Sequence, residues 1–109
     1  MLVYFLETLE DESDKDYIIW LYNEFERLMY STAFKYTTIP QIAEDIVQDS
    51  VVNLIRKVAT IRAMKRQVLA AYIISTVRNT SINRLKAIEY EREHVVEDSD
   101  ISMLMDLNR

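Results

Sequence analysis

Apolar side chains recur at steps of three and four through Ile18, Leu21, Phe25, Leu28 and Thr32, while Asn23, Glu24, Glu26 and Arg27 fall mostly on the other side. That spacing predicts an amphipathic helix from about Asp16 to Tyr36. A second stripe, Ala43, Ile46, Val47, Ser50, Leu54 and Val58, predicts a helix ending near Val58, with Glu44, Asp45, Gln48, Asp49, Val52 and Asn53 on its outer face. Its start is marked by Thr37-Thr38-Ile39-Pro40-Gln41: Thr38 is placed to cap, Pro40 suits the first turn, and Gln41 completes a capping box. A third stripe, Leu69, Tyr72, Ile73, Val77 and Thr80, predicts a helix from about Gln67 to Glu93, with Arg78, Asn79, Asn83 and Lys86 pointing largely elsewhere. Between the second and third helices, residues 59–66 have weaker periodicity and read as a loop.

The ends are less patterned. Residues 1–14 read as an N-terminal arm or short helix, closing on an acidic connector from Glu10 to Asp16. The helical domain is expected over 15–93. Residues 94–109 mix acids with Ile101, Met103, Leu104, Met105 and Leu107, as in an acidic linker or tail, or a short docking helix.

Composition narrows the fold class. The chain has 109 residues, half of them hydrophobic, with no glycine and one proline. At average usage about eight glycines are expected. Hairpins and tight turns lean on residues that tolerate positive φ, so barrels, sandwiches and glycine-rich phosphate loops are disfavoured. The expectation is all-α, a three- to four-helix bundle. Cysteine is absent, which removes disulfides, thiolate metal sites and cysteine nucleophiles, and fits a reducing, cytoplasmic setting. The apolar opening Leu2-Val3-Tyr4-Phe5-Leu6 is too short for a signal peptide. No apolar run approaches the roughly 18 residues of a membrane span.

Charge is segregated. The chain is −5 overall, yet residues 1–55 carry −8, residues 56–88 carry +8 with no acid at all, and residues 89–109 carry −5. A cationic window inside an acidic protein is a candidate footprint for nucleic acid. It is equally a solvated face that pairs with the acidic ends.

Catalytic chemistry finds little support. Glu91-x-x-His94 has the spacing of half a di-iron carboxylate motif, but one histidine cannot supply the second half. Glu44 and Asp45 are neighbours that splay apart around a helix. Ser75 and Ser81 lack a nearby histidine for a triad. The expectation is no catalysis, no cofactor and no metal.

Two segments have a recognisable form. Ala43-Glu44-Asp45-Ile46-Val47-Gln48-Asp49 is followed about thirty residues later by Ala71-Tyr72-Ile73-Ile74-Ser75-Thr76-Val77-Arg78-Asn79-Thr80-Ser81-Ile82-Asn83, and is preceded by Leu28-Met29-Tyr30-x-x-Ala33. Together they resemble region 2 of bacterial sigma factors of the sigma-70 family, particularly the small extracytoplasmic-function type, over about residues 15–92. The resemblance implies a transcription initiation factor domain that binds core RNA polymerase through the β′ clamp helices and recognises and helps melt the promoter minus-ten element. The implied polymerase-binding residues are Asp45, Gln48, Asp49, Val52 and Asn53. The implied DNA-binding residues are Arg62, Lys65 and Arg66 before the third helix and Arg78, Asn79, Asn83, Arg84 and Lys86 on it, with Asn79 reaching a base flipped out of the single-stranded non-template strand. An anti-sigma factor is a further implied partner.

The sequence departs from the family in places. Asn83 stands where the family usually has Asp, Tyr72 where tryptophan is commoner, and the basic run after Arg84 soon gives way to Glu89. Residues 93–109 are too few for the helix-turn-helix of region 4, so the expectation is either a fragment or a reduced protein. Two other classes stay open: an all-α protein-interaction module or small regulator with no DNA role, and a small metalloenzyme. The first is separated from the sigma reading by whether Arg62, Lys65, Arg66 and Arg78 are free or paired with the acidic ends.

Overall fold

The structure, a computed structural model, describes residues 6–107, with side chains as far as His94. Helices α1 (Glu12–Ala33), α2 (Pro40–Arg56), α3 (Val58–Arg62) and α4 (Arg66–Leu107) follow one another, with no strand among the described residues. The three long helices pack against each other pairwise, and the short α3 packs on α1 and α2. No described residue has a positive φ, which is how a chain without glycine folds unstrained.

Helix α1 starts earlier than its apolar stripe predicts. The acidic connector supplies the start itself: Asp11 is extended and accepts a hydrogen bond from the Ser13 amide at 2.8 Å. Glu12 and Asp14 follow in the first turn, where negative charge offsets the exposed amides of the helix dipole. Its core face is Ile18, Leu21, Phe25, Met29, Thr32 and Ala33. Met29, at 0 % exposure, takes the place expected of Leu28, which packs at the rim. Steps of four from Leu21 lead to Phe25, Met29 and Ala33, and that row faces the bundle.

Helix α2 begins at Pro40, as expected, but without the capping box. Ile39 is the N-cap and makes no side-chain cap; Thr37 Oγ1 accepts from the Ile39 amide at 3.2 Å instead. Gln41 points along the helix to Asp45 Oδ1 at 3.5 Å. Proline at the first position has no N–H, so the helix starts with one fewer unpartnered donor. Ala43, Ile46, Val47, Ser50, Leu54 and Val58 are all buried, joined by Val51 and Ile55. Val58 opens α3 instead of closing α2. The expected loop at 59–66 is therefore mostly helix: burial of Val58 and Ile61 holds one further turn before Ala63-Met64-Lys65 reverses the chain.

Helix α4 buries Leu69, Ile73, Val77, Thr80 and Ser81, with Tyr72 half-buried at the rim. It continues past its expected end at Glu93 to Leu107, as nothing in that stretch breaks a helix. Beyond Ser81 no side chain is buried as far as His94. Leu6 and Glu7 are helical, whereas the first five residues of the expected arm lie outside the described residues. So do the side chains of the expected tail.

A few small polar residues lie inside the packed bundle. Ser50 Oγ donates to the Ile46 carbonyl at 2.7 Å, Ser81 Oγ to Val77 at 2.7 Å and Thr32 Oγ1 to Leu28 at 2.8 Å. Each buried hydroxyl is satisfied within its own helix. The aliphatic core around them contributes about 1.5–3 kcal/mol per large buried side chain.

Candidate nucleic-acid interface

The outer face of α2 carries five candidate residues, none in the core. Asp45, Gln48 and Val52 are half-buried, Asp49 and Asn53 exposed. Gln48 Nε2 donates to Glu44 Oε1 at 3.4 Å. Arg84, from α4, lies across this face: Nη2 donates to Asp45 Oδ2 at 3.1 Å, and Nη1 to Asp49 Oδ2 at 3.4 Å. A residue expected on the DNA side thus closes on two expected on the protein side.

Where α2 ends, a cleft of about 390 Å³ opens between it and α4. Asn53, Arg56 and Lys57 line one wall; Tyr72, Thr76, Asn79, Thr80 and Asn83 line the other. Asn53 Nδ2 donates to Thr80 Oγ1 at 3.4 Å and bridges the walls. A neighbouring cleft shares Asn53, Arg56, Thr80 and Asn83 and extends to Asp49 and Val52. The two candidate faces are therefore continuous.

Of the cleft residues, the sequence reading named Asn53, Asn79 and Asn83. It missed Arg56, Lys57, Tyr72, Thr76 and Thr80. A signal was available: positions 72, 76, 79, 80 and 83 recur at three- and four-residue steps and form one ridge of α4. The periodicity puts Tyr72 and Thr80 on the inward stripe, and Arg56 and Lys57 enter the sequence pattern only as charge.

The cations divide into two sets. Arg62 Nη1 lies 2.6 Å from Asp14 Oδ1 and 2.6 Å from Ser13 Oγ, with its guanidinium 5.5 Å above the Tyr17 ring. Arg66 pairs with Glu24 at 2.5 Å and sits 5.2 Å over Phe25. Trp20 lies among these rings, 5.6 Å from Tyr17 and 6.1 Å from Phe25, and is 44 % exposed. By contrast Arg56, Lys57, Lys65, Arg78 and Lys86 are exposed and have no ion-pair partner among the described residues. The test set of four cations splits: Arg62 and Arg66 are paired, Lys65 and Arg78 free.

Shifted ionisation occurs away from the cleft. Burial raises the Tyr17 phenol, with Arg62 opposing it. Burial, reinforced by Tyr30 and Glu26, pushes Tyr22 up to about 12. His94 stacks on Tyr90 at 3.6 Å with Nδ1 2.9 Å from the Tyr90 carbonyl, and the described residues hold no group of three metal-ligating side chains. None of the described helices is long and apolar enough to cross a membrane.

The Sigma-70 region 2 family matches residues 21–89, which takes in most of α1, all of α2 and α3, and α4 as far as Glu89. No curated protein and no solved structure matches the chain.

Proposed function

The chain belongs to the Sigma-70 region 2 family, and from that premise we propose that it grips the β′ clamp helices of core RNA polymerase with the outer face of α2 and holds an unpaired minus-ten strand in the cleft beside it. Membership itself gives a sigma factor domain, a DNA-binding part of transcription initiation with core polymerase and promoter DNA as partners. We place it with the extracytoplasmic-function type, in the cytoplasm, and assign it no catalysis; the polymerase does the chemistry.

The observation that carries this reading is the cleft. It combines three amides, two threonine hydroxyls and an aromatic ring with the cations Arg56 and Lys57, which have no ion-pair partner among the described residues. Phosphate contacts supply affinity and base contacts supply choice, and both kinds of group converge here. An amide such as Asn79 offers a donor and an acceptor to a base edge. Extracting a base costs a few kcal/mol of stacking, which a lined cleft offsets. Arg78 and Lys86 extend the phosphate path along α4, and Lys65 extends it at the turn before α4.

Reconstitution with core polymerase, followed by an opening assay on candidate minus-ten duplexes, tests the proposal. Polymerase-dependent exposure of non-template bases is expected; absence of both polymerase binding and opening overturns it. A second reading, an interaction module without a DNA role, draws on the Arg62–Asp14 and Arg66–Glu24 pairs. It requires that the chain bind no single-stranded DNA. The sigma reading expects weak binding with a log–log salt slope of roughly −3 for four phosphates.

A further inference from the structure

Arg84 stands in the basic stretch of α4, yet its guanidinium is turned onto α2. One terminal nitrogen faces Asp45 at 3.1 Å and the other faces Asp49 at 3.4 Å. The carboxylates are four residues apart on one helix, so they project side by side and a single planar fork spans both. Both belong to the face assigned above to the polymerase, while Arg84 adjoins Asn83, which lines the cleft assigned to the strand. In this arrangement the carboxylates are occupied by the protein's own cation, and that cation is neutralised towards phosphate.

We propose that Arg84 is a latch between the two surfaces: a cationic side chain of the polymerase, docking on Asp45 and Asp49, displaces Arg84, and the released guanidinium takes a phosphate of the strand held in the cleft. The inference rests on the function proposed above and adds a coupling between its two halves. The three side chains are 33 %, 50 % and 38 % exposed for Asp45, Asp49 and Arg84. Ion pairs this exposed contribute little net stability, so exchanging partners costs little. Linkage makes the effect reciprocal: polymerase tightens the strand by the same factor by which the strand tightens polymerase.

The test uses the full chain and a fluorescein-labelled single-stranded DNA of mixed sequence, read by anisotropy over a salt series. Asp45→Asn/Asp49→Asn frees Arg84 and is expected to bind several-fold tighter, with the log–log salt slope steeper by about 0.7, one added phosphate on a single strand. Adding Arg84→Gln should abolish both gains. Glu44→Gln/Glu89→Gln removes the same charge without touching Arg84 and should gain little. An equal gain in the triple variant or in this control overturns the latch while leaving DNA binding intact. No binding by any of these proteins overturns the latch together with the reading beneath it. With core polymerase added, the wild-type chain should bind the strand more tightly, and Arg84→Gln should bind polymerase and strand independently. Equal coupling in both proteins also overturns the latch.

Discussion

Tyr17 donates its phenolic hydroxyl to the Ile61 carbonyl at 3.2 Å, across 44 positions of sequence. The bond fastens α1 to α3, a helix of five residues that is too short to persist by itself. Ile61 is buried beside it, and the guanidinium of Arg62 covers the Tyr17 ring. The turn that carries Lys65 and leads into α4 is thus anchored on α1, so the cation placement of the candidate interface depends on a residue outside it.

Tyr17→Phe keeps the ring and removes the bond. A net loss of about 1 kcal/mol is expected, seen as a fall of roughly 4–8 °C in melting temperature. Amide exchange should quicken most in α3 and the following turn. Uniform acceleration along the chain would show that the bond supports the whole bundle and not this segment.

Tyr22 makes stability sensitive to alkali. Its phenol, ordinarily at 10.0, is held up to about 12 by burial and by the neighbouring Tyr30 and Glu26. Below pH 10 the folded and unfolded chains both keep this proton. Between that point and the raised value only the folded chain keeps it, so this stabilising contribution is lost as pH climbs. Urea melts of the wild type and Tyr22→Phe should differ by a constant amount below pH 10. Above it the difference should move in favour of phenylalanine. A constant difference at all pH values would contradict the burial of the neutral phenol.

Much of this bundle was legible in the chain. The stripe from Ala43 to Val58 is buried at every expected position, because an α2 with two helical neighbours must show a wide apolar face. Asp45, Gln48, Asp49, Val52 and Asn53 fall outside the core for the same reason. What periodicity could not give was pairing between distant segments. Nothing local links Arg84 to Asp45, or Arg62 to Asp14; those contacts exist only once α4 and α3 are laid on their neighbours. The turn at α3 was missed because five residues carry too little period to see, and its helicity comes from burying Val58 and Ile61. In α1 the expected Ile18, Leu21, Phe25 and Thr32 are buried, and only at one position does Met29 replace Leu28, because both are apolar and adjacent.

That one exchange has a direct check. Met29 is 0 % exposed, and Met29→Ala should cost about 2–5 kcal/mol. Leu28→Ala, at the rim, should cost clearly less in the same denaturation experiment. A reversed order would return Leu28 to the core.

The two faces should separate by mutation. Gln48→Ala should weaken polymerase binding about two- to tenfold, the value of one net hydrogen bond, with the circular dichroism spectrum and single-strand binding unchanged. Asp45→Ala should also weaken polymerase binding but modestly strengthen single-strand binding, as it leaves Arg84 held by Asp49 alone. Unchanged pull-down of core polymerase by both variants would exclude this face of α2.

Within the cleft, Lys57 and Asn79 should fail in different ways, and Arg62 in a third. Lys57 is an exposed cation that lines the cleft and has no carboxylate partner among the described residues. Lys57→Gln should therefore weaken all single strands alike and flatten the salt slope by about 0.7. Asn79 carries no charge, so Asn79→Ala should leave the slope intact and reduce discrimination among bases at one position, by about 1–3 kcal/mol if both amide groups are used. Arg62 already spends its charge on Asp14. Arg62→Gln should lower the melting temperature slightly and leave the slope nearly unchanged. Salt titrations of the three variants against a set of oligonucleotides differing at one base separate these outcomes. A slope change from Arg62 equal to that from Lys57 would mean that the α1–α3 ion pair opens to receive DNA, and the strand path would then run over Tyr17 and Trp20 as well.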